Sequence, residues 1–220
     1  MISTSFLDIS YWQDCRKEVT KMDIEIKNSI KNRRSYYAIG KDKRISDDEI
    51  EEIVRHAVTN TPSAFNSQSG RVLLLLGKEH DKLWDLTKEI LRAIIPPDKF
   101  APTDEKIDSF KNGYGTVLYF EDQDIVKNLE ENFPTYAQNF AGWSLQGSAM
   151  LQYGIWLMFE DAGLGASLQH YNPLIDEKVK STWNIPEAWK LIAEMPFGGP
   201  TAEPGPKSFL PLDDRIKIFK

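Results

Sequence analysis

Cysteine is almost absent from this sequence of 220 residues, which contains Cys15 alone. One thiol cannot form a disulfide within the chain or a thiolate metal cluster, and it supplies no redox pair. An excess of basic residues is also lacking. The formal net charge is -6, so no overall positive surface is available to neutralise nucleic acid or an anionic membrane. We expect a cytoplasmic protein that acts on small molecules.

A secretory signal is missing from the opening residues, which lack its basic start, apolar middle and small-residue cleavage site. Residues 1–22 show no clear period, and we interpret them as an N-terminal extension without an assigned function. The remaining residues, 23–220, are long enough to bury one core and too short to need two. The expected organisation is an extension followed by a single domain.

No charged residue occurs from Phe140 to Phe159, a segment long enough to cross a membrane. However, Gln146 and Gln152 lie inside it, and no Lys or Arg flanks it as an anchor. A helix that is apolar all round also fits the middle of a large core or a dimer interface. We therefore predict a long internal or interfacial helix from Tyr136 to Asp161 rather than a membrane span.

Helical and strand patterns interleave in the rest of the chain. Ser46-Asp47-Asp48-Glu49 is a capping box that begins a helix ending near Pro62. Arg71 to Gly77 is predicted as a strand buried on both faces. The other predicted helices are Asp23–Lys31, Lys78–Ile95 and Leu174–Trp183. The other predicted strands are Thr116–Phe120 and Leu191–Phe197, with an extended segment through Leu168 and a break at Gly198–Pro200. A terminal strand, Arg215–Phe219, would pair with a partner subunit. No regular βαβ unit or repeat is visible, so the class is α+β.

Two arginines and a serine stand side by side in Asn32-Arg33-Arg34-Ser35, after the first predicted helix. Arginine binds phosphate oxygens through parallel N–H bonds and stays charged at any working pH. The cluster therefore suits a phosphorylated cofactor. From the spacing alone, solvated charges at the C-terminal end of a helix fit better.

Small hydroxyl and amide side chains are concentrated in the loop Pro62-Ser63-Ala64-Phe65-Asn66-Ser67-Gln68. Asn and Gln each offer donors and acceptors, as recognition of a flavin pyrimidine edge or a ribityl chain requires. Ordinary turn chemistry is the alternative, since Pro, Ser and Asn populate loops for local reasons.

Other sequence signals are weaker. Gly163 to Leu168 resembles a dinucleotide fingerprint, but it follows a helix and opens a strand, the reverse of what that motif requires. His56, His80 and His170 do not cluster with carboxylates at ligand spacing, so no metal site is expected. No nucleophile elbow is present.

Four segments, in order along the chain, resemble the nitroreductase family of FMN enzymes, and specifically its fatty-acid-repression-mutant-like branch. They are Asn32–Ser35, Pro62–Gln68, Gly113–Asp122, and Met195–Pro200 with Lys207-Ser208 behind it. The resemblance implies a central mixed, mainly antiparallel sheet flanked by helices. It also implies an intertwined homodimer with two FMN sites at its interface and the long helix at its centre.

The resemblance assigns roles to residues of this chain. Arg33, Arg34 and Ser35 would bind the FMN phosphate, and Lys207 would complete that end, although Phe209 stands where the family has an Arg. Tyr37 is also implied to bind the cofactor, at a position that is often Lys or Arg in relatives. Four further residues would reach the flavin from the other subunit: Pro62, Ser63, Asn66 and Gln68. Backbone amides around Gln169 and His170 would face flavin N5.

The implied activity is a ping-pong reaction in which NADH or NADPH reduces FMN and a nitroaromatic, quinone or similar small acceptor reoxidises it. We name no catalytic acid or base, because the cofactor carries the chemistry. The alternative is a flavin-binding regulatory or redox-sensor protein with little turnover. No reader of a 2′-phosphate is identifiable, so both nicotinamides stay open.

Overall fold

The computed structural model describes residues 26–220, so the extension at 1–22, Cys15 and the start of the first predicted helix lie outside the described residues. The helices are α1 (residues 26–32), α2 (Asp47–Asn60), α3 (Lys78–Ile94), α4 (Ala101–Lys111), α5 (Gln123–Asn132), α6 (Ala137–Asp161) and α7 (Asp176–Trp183). The strands are β1 (Ile39–Gly40), β2 (Gly70–Leu76), β3 (Gly115–Asp122), β4 (Gly165–Ala166) and β5 (Trp189–Pro200).

The five strands form one sheet in the order β1-β5-β3-β2, and β4 also pairs with β5. Every strand pair is antiparallel, and a single parallel bridge joins Ser35 to Ala166 within the described residues. Helices cover both faces of the sheet. The predicted α+β class and the mainly antiparallel sheet are confirmed.

Alternation along β3 divides the core into two layers. Val117 and Tyr119 point to one face, where they join the cluster that includes Ile155 of α6. Leu118 and Phe120 point to the other face, into a cluster built with α3, α4 and α7. Strand side chains alternate between faces, so one strand supplies both layers. Complete burial of each large apolar side chain contributes about 1.5–3 kcal/mol.

The capping box at the start of α2 forms as predicted. Ser46 Oγ accepts the Glu49 N–H at 3.2 Å, and Glu49 Oε2 accepts the Ser46 N–H at 2.8 Å. The long helix also forms, beginning at Ala137 after a 3₁₀ turn over Pro134–Tyr136. No helix within residues 26–220 is long and apolar enough to span a bilayer.

Two strand predictions were wrong in detail. β2 is an edge strand that pairs with β3 on one side and borders an open groove of about 890 Å³ on the other. Leu75 is the one buried residue of this strand. The glycines after Phe197 do not break β5, which continues to Pro200. They let two backbones approach closely: a Cβ at Gly198 would overlap the carbonyl oxygen of Gly40.

The C-terminal residues do not form the predicted strand within this one chain. After β5 the regular structure is a 3₁₀ turn over Leu212–Asp214, and the residues that follow it are exposed. Apolar side chains in this tail are widely accessible, among them Phe209, Ile218 and Phe219. Pairing of Arg215–Phe219 with a partner subunit stays a prediction.

Candidate functional site

Arg33 lies where α1 meets the C-terminal half of α6. Its N–H donates to the Ser29 carbonyl at 2.9 Å. Its guanidinium carbon lies 4.3 Å from the ring centre of Trp156, a cation–π stack. Nε of Arg33 is buried and has no hydrogen-bond partner among the described residues. Buried N–H donors are nearly always paired, so this atom is an unusual donor for which residues 26–220 supply no acceptor.

Acidic side chains lie close to the two arginines. Burial raises the pKa of Glu160, while the charge of Arg33 lowers it. The Tyr36 hydroxyl donates to Glu203 at 3.5 Å, and burial followed by the charge of Glu203 raises the pKa of Tyr36. Positive charge around the arginines is therefore partly balanced before any anion binds.

The segment that follows β5 returns to the arginine motif. Arg34 donates to the Gly205 carbonyl at 2.6 Å, which ties this segment beside α1. Lys207 follows two residues later and is exposed, with Nζ 5.1 Å from the Phe209 ring centre. An open pocket of about 410 Å³ lies here, lined by Lys31, Asn32, Arg34, Tyr36, Glu160, Glu203 and Pro204. The structure thus brings the segment containing Lys207 to the end of the fold that holds Arg33 and Arg34.

Ser35 connects the arginine motif to the segment after α6. It is exposed and forms the parallel bridge with Ala166, next to the Tyr36 N–H bond to the Ala166 carbonyl at 2.9 Å. The chain then runs on through Gln169 to His170, which is exposed. The predicted phosphate residues and the predicted N5-facing segment therefore lie on neighbouring stretches of one chain.

The two amides predicted to face the flavin are not equivalent. The Gln169 N–H already donates to the Glu194 carbonyl at 2.7 Å, and the Gln169 side chain donates to Ser167 Oγ at 3.1 Å. The Gln169 N–H is therefore already paired within this chain. Tyr37 is exposed, with its ring centre 6.3 Å from that of Phe110.

The loop from Pro62 to Gln68 has an unusual backbone. Phe65, Asn66 and Gln68 all have φ between 50° and 55°, a left-handed conformation that costs most non-glycine residues energy. The Gln68 N–H donates to Ser63 Oγ at 2.9 Å, which closes the loop on itself. Such strain persists only where surrounding contacts impose it, and it is concentrated at functional sites.

This loop is held by hydrogen bonds from Arg71 and by the packing of its Phe65 ring. Arg71 donates to the Gln68 carbonyl at 2.6 Å and forms an ion pair with Asp122 at 3.0 Å. Phe65 packs among aromatic rings from the start of α6 and the turn before it, with ring centres 5.3 Å from Phe140 and 6.2 Å from Trp143.

The loop and the arginine motif lie at opposite ends of α6. The loop contacts the helix at Trp143, whereas Arg33 contacts it at Trp156. At about 1.5 Å per residue, these two tryptophans are about 20 Å apart along the axis. The predicted site residues therefore form two separate groups within one chain.

Sequence reasoning missed Trp156 and Arg71, because each acts on a segment distant in the sequence or through a backbone carbonyl. It also passed over Glu194, a fully buried carboxyl on β5. The sequence feature that could have identified Glu194 is its position as the one charged residue inside the apolar run Leu191–Phe197. No group of three or more His, Cys, Asp or Glu suited to hold a metal ion occurs in the described part of the chain.

The chain is similar to known proteins of one family. The family model described as "Nitroreductase family" matches residues 30–199. The solved nitroreductase CinD from Lactococcus lactis, in complex with chloramphenicol, is 45% identical, with a TM-score of 0.79 over 88% of this chain and 98% of that one. In Saccharomyces cerevisiae, the putative nitroreductase HBN1 is 35% identical over 85% of this chain and 93% of its own length. The nitroreductase FRM2 of the same yeast is 31% identical over 83% and 92%. The chain belongs to the nitroreductase family of oxidoreductases.

Proposed function

We propose that the protein is an FMN-dependent reductase that passes electrons from NADH or NADPH to nitroaromatic, quinone or similar small acceptors by a ping-pong mechanism. The observation that carries the proposal is the buried Nε of Arg33, a cationic donor without an acceptor among the described residues. CinD, which is 45% identical, has been solved with 4-nitrophenol and with nicotinic acid, and this favours flat aromatic substrates here.

The residues present suit the FMN phosphate. Arg33 is fixed by its stack on Trp156 and still has a free donor, and Arg34 lies beside it. Ser35 adds an exposed hydroxyl, and Lys207 adds a cation on the segment that Arg34 binds. Charge-assisted hydrogen bonds of this kind are the strong ones, and arginine is suited to phosphate by the shape of its guanidinium.

Two chains would be needed to complete one site. A two-fold axis near the middle of α6 would place the Pro62–Gln68 loop of a second copy beside Arg33 of the first. α6 has no charged residue before Glu160, and its exposed side carries Leu145, Met150 and Tyr153. An uncharged apolar helix face of this kind is typical of a permanent interface. We therefore propose a homodimer with an FMN site at each end of the paired helices.

The C-terminal tail supports the same assembly. β2 has one unpaired edge, beside a groove lined by Val72, Leu74 and Val58. Unpaired strand edges bind extended chain segments through backbone hydrogen bonds. The exposed, alternating tail Arg215–Phe219 of a second copy is a suitable occupant.

When bound, FMN supplies the hydride and electron transfer itself. This chain would hold the phosphate through Arg33 and Arg34 and present the His170 amide to the flavin edge. The preset loop conformation would keep Asn66 and Gln68 ready for the flavin of the partner. No side chain of the site is assigned as an acid or base, and proton exchange would involve solvent.

A visible absorption spectrum of the purified protein tests the proposal. Flavin bands should bleach on addition of NADH or NADPH and return on addition of 4-nitrophenol or a quinone. Bands that never bleach would instead support a flavin-binding sensor with little turnover. A colourless protein that takes up no added FMN would contradict both functions.

A further inference from the structure

Glu194 is a carboxyl group in the centre of the sheet, with 0% of its surface exposed. It lies on β5 opposite Leu118 of β3, and on the other side it pairs with Gln169. The activity described above does not use it. A charged residue is almost never fully buried unless it is paired, so its place here needs a reason.

The hydrogen bonds of Glu194 hold both neighbours of His170. The Glu194 N–H donates to the Gln169 carbonyl at 2.9 Å, and the Gln169 N–H donates to the Glu194 carbonyl at 2.7 Å. The side chain accepts the Tyr171 N–H through Oε2 at 2.9 Å. Residues 169 and 171 are thus both bonded to Glu194, and His170 lies between them.

The surroundings of Glu194 favour its uncharged form. Oε1 is buried without a partner, and no Lys, Arg or His in residues 26–220 forms a salt bridge with the carboxyl. Two other buried oxygens, Asn172 Oδ1 and Asp176 Oδ1, also lack a donor. A protonated carboxyl has an O–H to donate, whereas an ionised one would be a buried charge without a cationic partner among residues 26–220.

The titratable groups facing Glu194 are Asp176 of α7 and Tyr171. On the α3 and α4 side, the rings of Trp84 and Phe110 pack on Tyr171, and His80 of α3 bonds to Thr116 further along β3. Burial raises the pKa of Glu194 to about 8; the Tyr171 N–H bond opposes this and the charge of Asp176 adds to it.

We infer that Glu194 is a positioning residue of the flavin site, which in its uncharged form holds the Gln169–Tyr171 segment in place so that the His170 amide faces the flavin. The inference rests on the proposed function, because it takes that segment as the part of the chain that meets flavin N5. Ionisation of Glu194 would keep the hydrogen bond from the Tyr171 N–H and would place a negative charge behind the flavin. Since reduction adds negative charge to the flavin, a nearby carboxylate would make reduction harder.

The test compares the midpoint potential of the FMN-loaded full-length protein with that of Glu194→Gln from about pH 6.5 to about pH 9.5, a range that includes the titration of a raised carboxyl. Glutamine keeps an acceptor for the Tyr171 N–H and cannot ionise. Both potentials should agree at the acidic end, and the wild-type potential should shift below that of Glu194→Gln at the alkaline end. Glu187→Gln is the matched control, because that side chain is 85% exposed and its charge is screened. It should follow the wild type.

A second pair of variants separates positioning from general folding. Glu194→Leu removes the acceptor for Tyr171 and should lose FMN affinity at neutral pH, while Glu194→Gln keeps it. Equal loss in both variants, or identical pH profiles for the wild type and Glu194→Gln, would overturn the inference while the flavoprotein remained. A wild-type protein that binds no FMN would overturn the inference and the proposed function together.

Discussion

At the scale of single residues, Arg33 provides a direct test of the proposed phosphate site. Arg33→Ala removes the buried Nε and the stack on Trp156, and it should weaken FMN binding by one or two charge-assisted bonds, on the order of 2–4 kcal/mol. A fluorescence titration with FMN measures this. Arg92→Ala is the control, since Arg92 is an exposed arginine paired with Asp104 at 3.2 Å. Undiminished affinity in Arg33→Ala would contradict the phosphate assignment.

His80 makes folding stability depend on acidity. Its Nδ1 lies 2.8 Å from Thr116 Oγ1, which also accepts the Trp84 indole N–H, and its Nε2 lies 3.2 Å from the Lys111 carbonyl. These bonds suit a neutral ring protonated on Nε2. Burial, with a smaller effect of the Lys41 charge, lowers the pKa of His80 to about 4. In the unfolded chain the pKa of this histidine is about 6.5, so the unfolded state binds the proton at a higher pH than the folded state does. The contribution of His80 to folding stability is therefore complete above about pH 6.5 and is lost as the pH falls toward 4.

We therefore expect the free energy of unfolding to decrease by up to about 3 kcal/mol from this group between about pH 6.5 and about pH 4. Urea unfolding at several pH values measures the decrease. His80→Gln, although less stable at neutral pH, should show a shallower pH dependence. His56→Gln, a change at an exposed histidine of α2, should leave the slope unaltered. A slope in His80→Gln equal to that of the wild type would assign the effect to other groups.

The sequence predicts candidate site residues that would act through their own side chains, such as Arg33 and Asn66. It did not allow prediction of residues that act on other protein groups. Trp156 matters because it supports Arg33, and Arg71 matters because it bonds to a carbonyl of the loop. Neither relation leaves a local pattern, since both depend on how distant segments pack.

At the scale of elements, the close approach at the end of β5 makes a prediction about glycine. Gly198→Ala would force a methyl group into the Gly40 carbonyl, so the strands must separate, and stability should fall by more than about 2 kcal/mol. Gly70→Ala is the control, because its nearest new contact would be a Leu151 methyl at 3.4 Å. Thermal unfolding distinguishes the two. Equal melting temperatures would mean that β1 and β5 can separate at little cost in stability.

Most helices were predicted from the sequence, including the short α7, but α4 and α5 were not. α2, α3 and α6 have clear signals and form where expected. Of the two helices that were not predicted, α4 buries only Ile107 and Phe110, and α5 buries only Val126. The leucine run of β2 predicted a strand correctly, but such a run cannot distinguish a central strand from an edge strand beside a groove.

At the scale of the whole molecule, the exposed face of α6 predicts a dimer. Met150 lies near the proposed two-fold axis with 46% of its surface exposed in the single chain. Met150→Glu would bring two like charges together at the axis and should yield monomers that have lost FMN. Light scattering should give the wild type about twice the chain mass of 25.2 kDa. Ile94→Glu, on an exposed part of α3, should remain dimeric. A monomeric wild type that still binds FMN would contradict the assembly.

The separation of the two residue groups along α6 has a genetic consequence. Arg33→Ala and Asn66→Ala would each inactivate both sites of a homodimer. In a mixed dimer of the two variants, one site receives both substitutions and the other receives neither. Two inactive alleles expressed together should therefore complement each other, whereas two alleles altered within the same group should not.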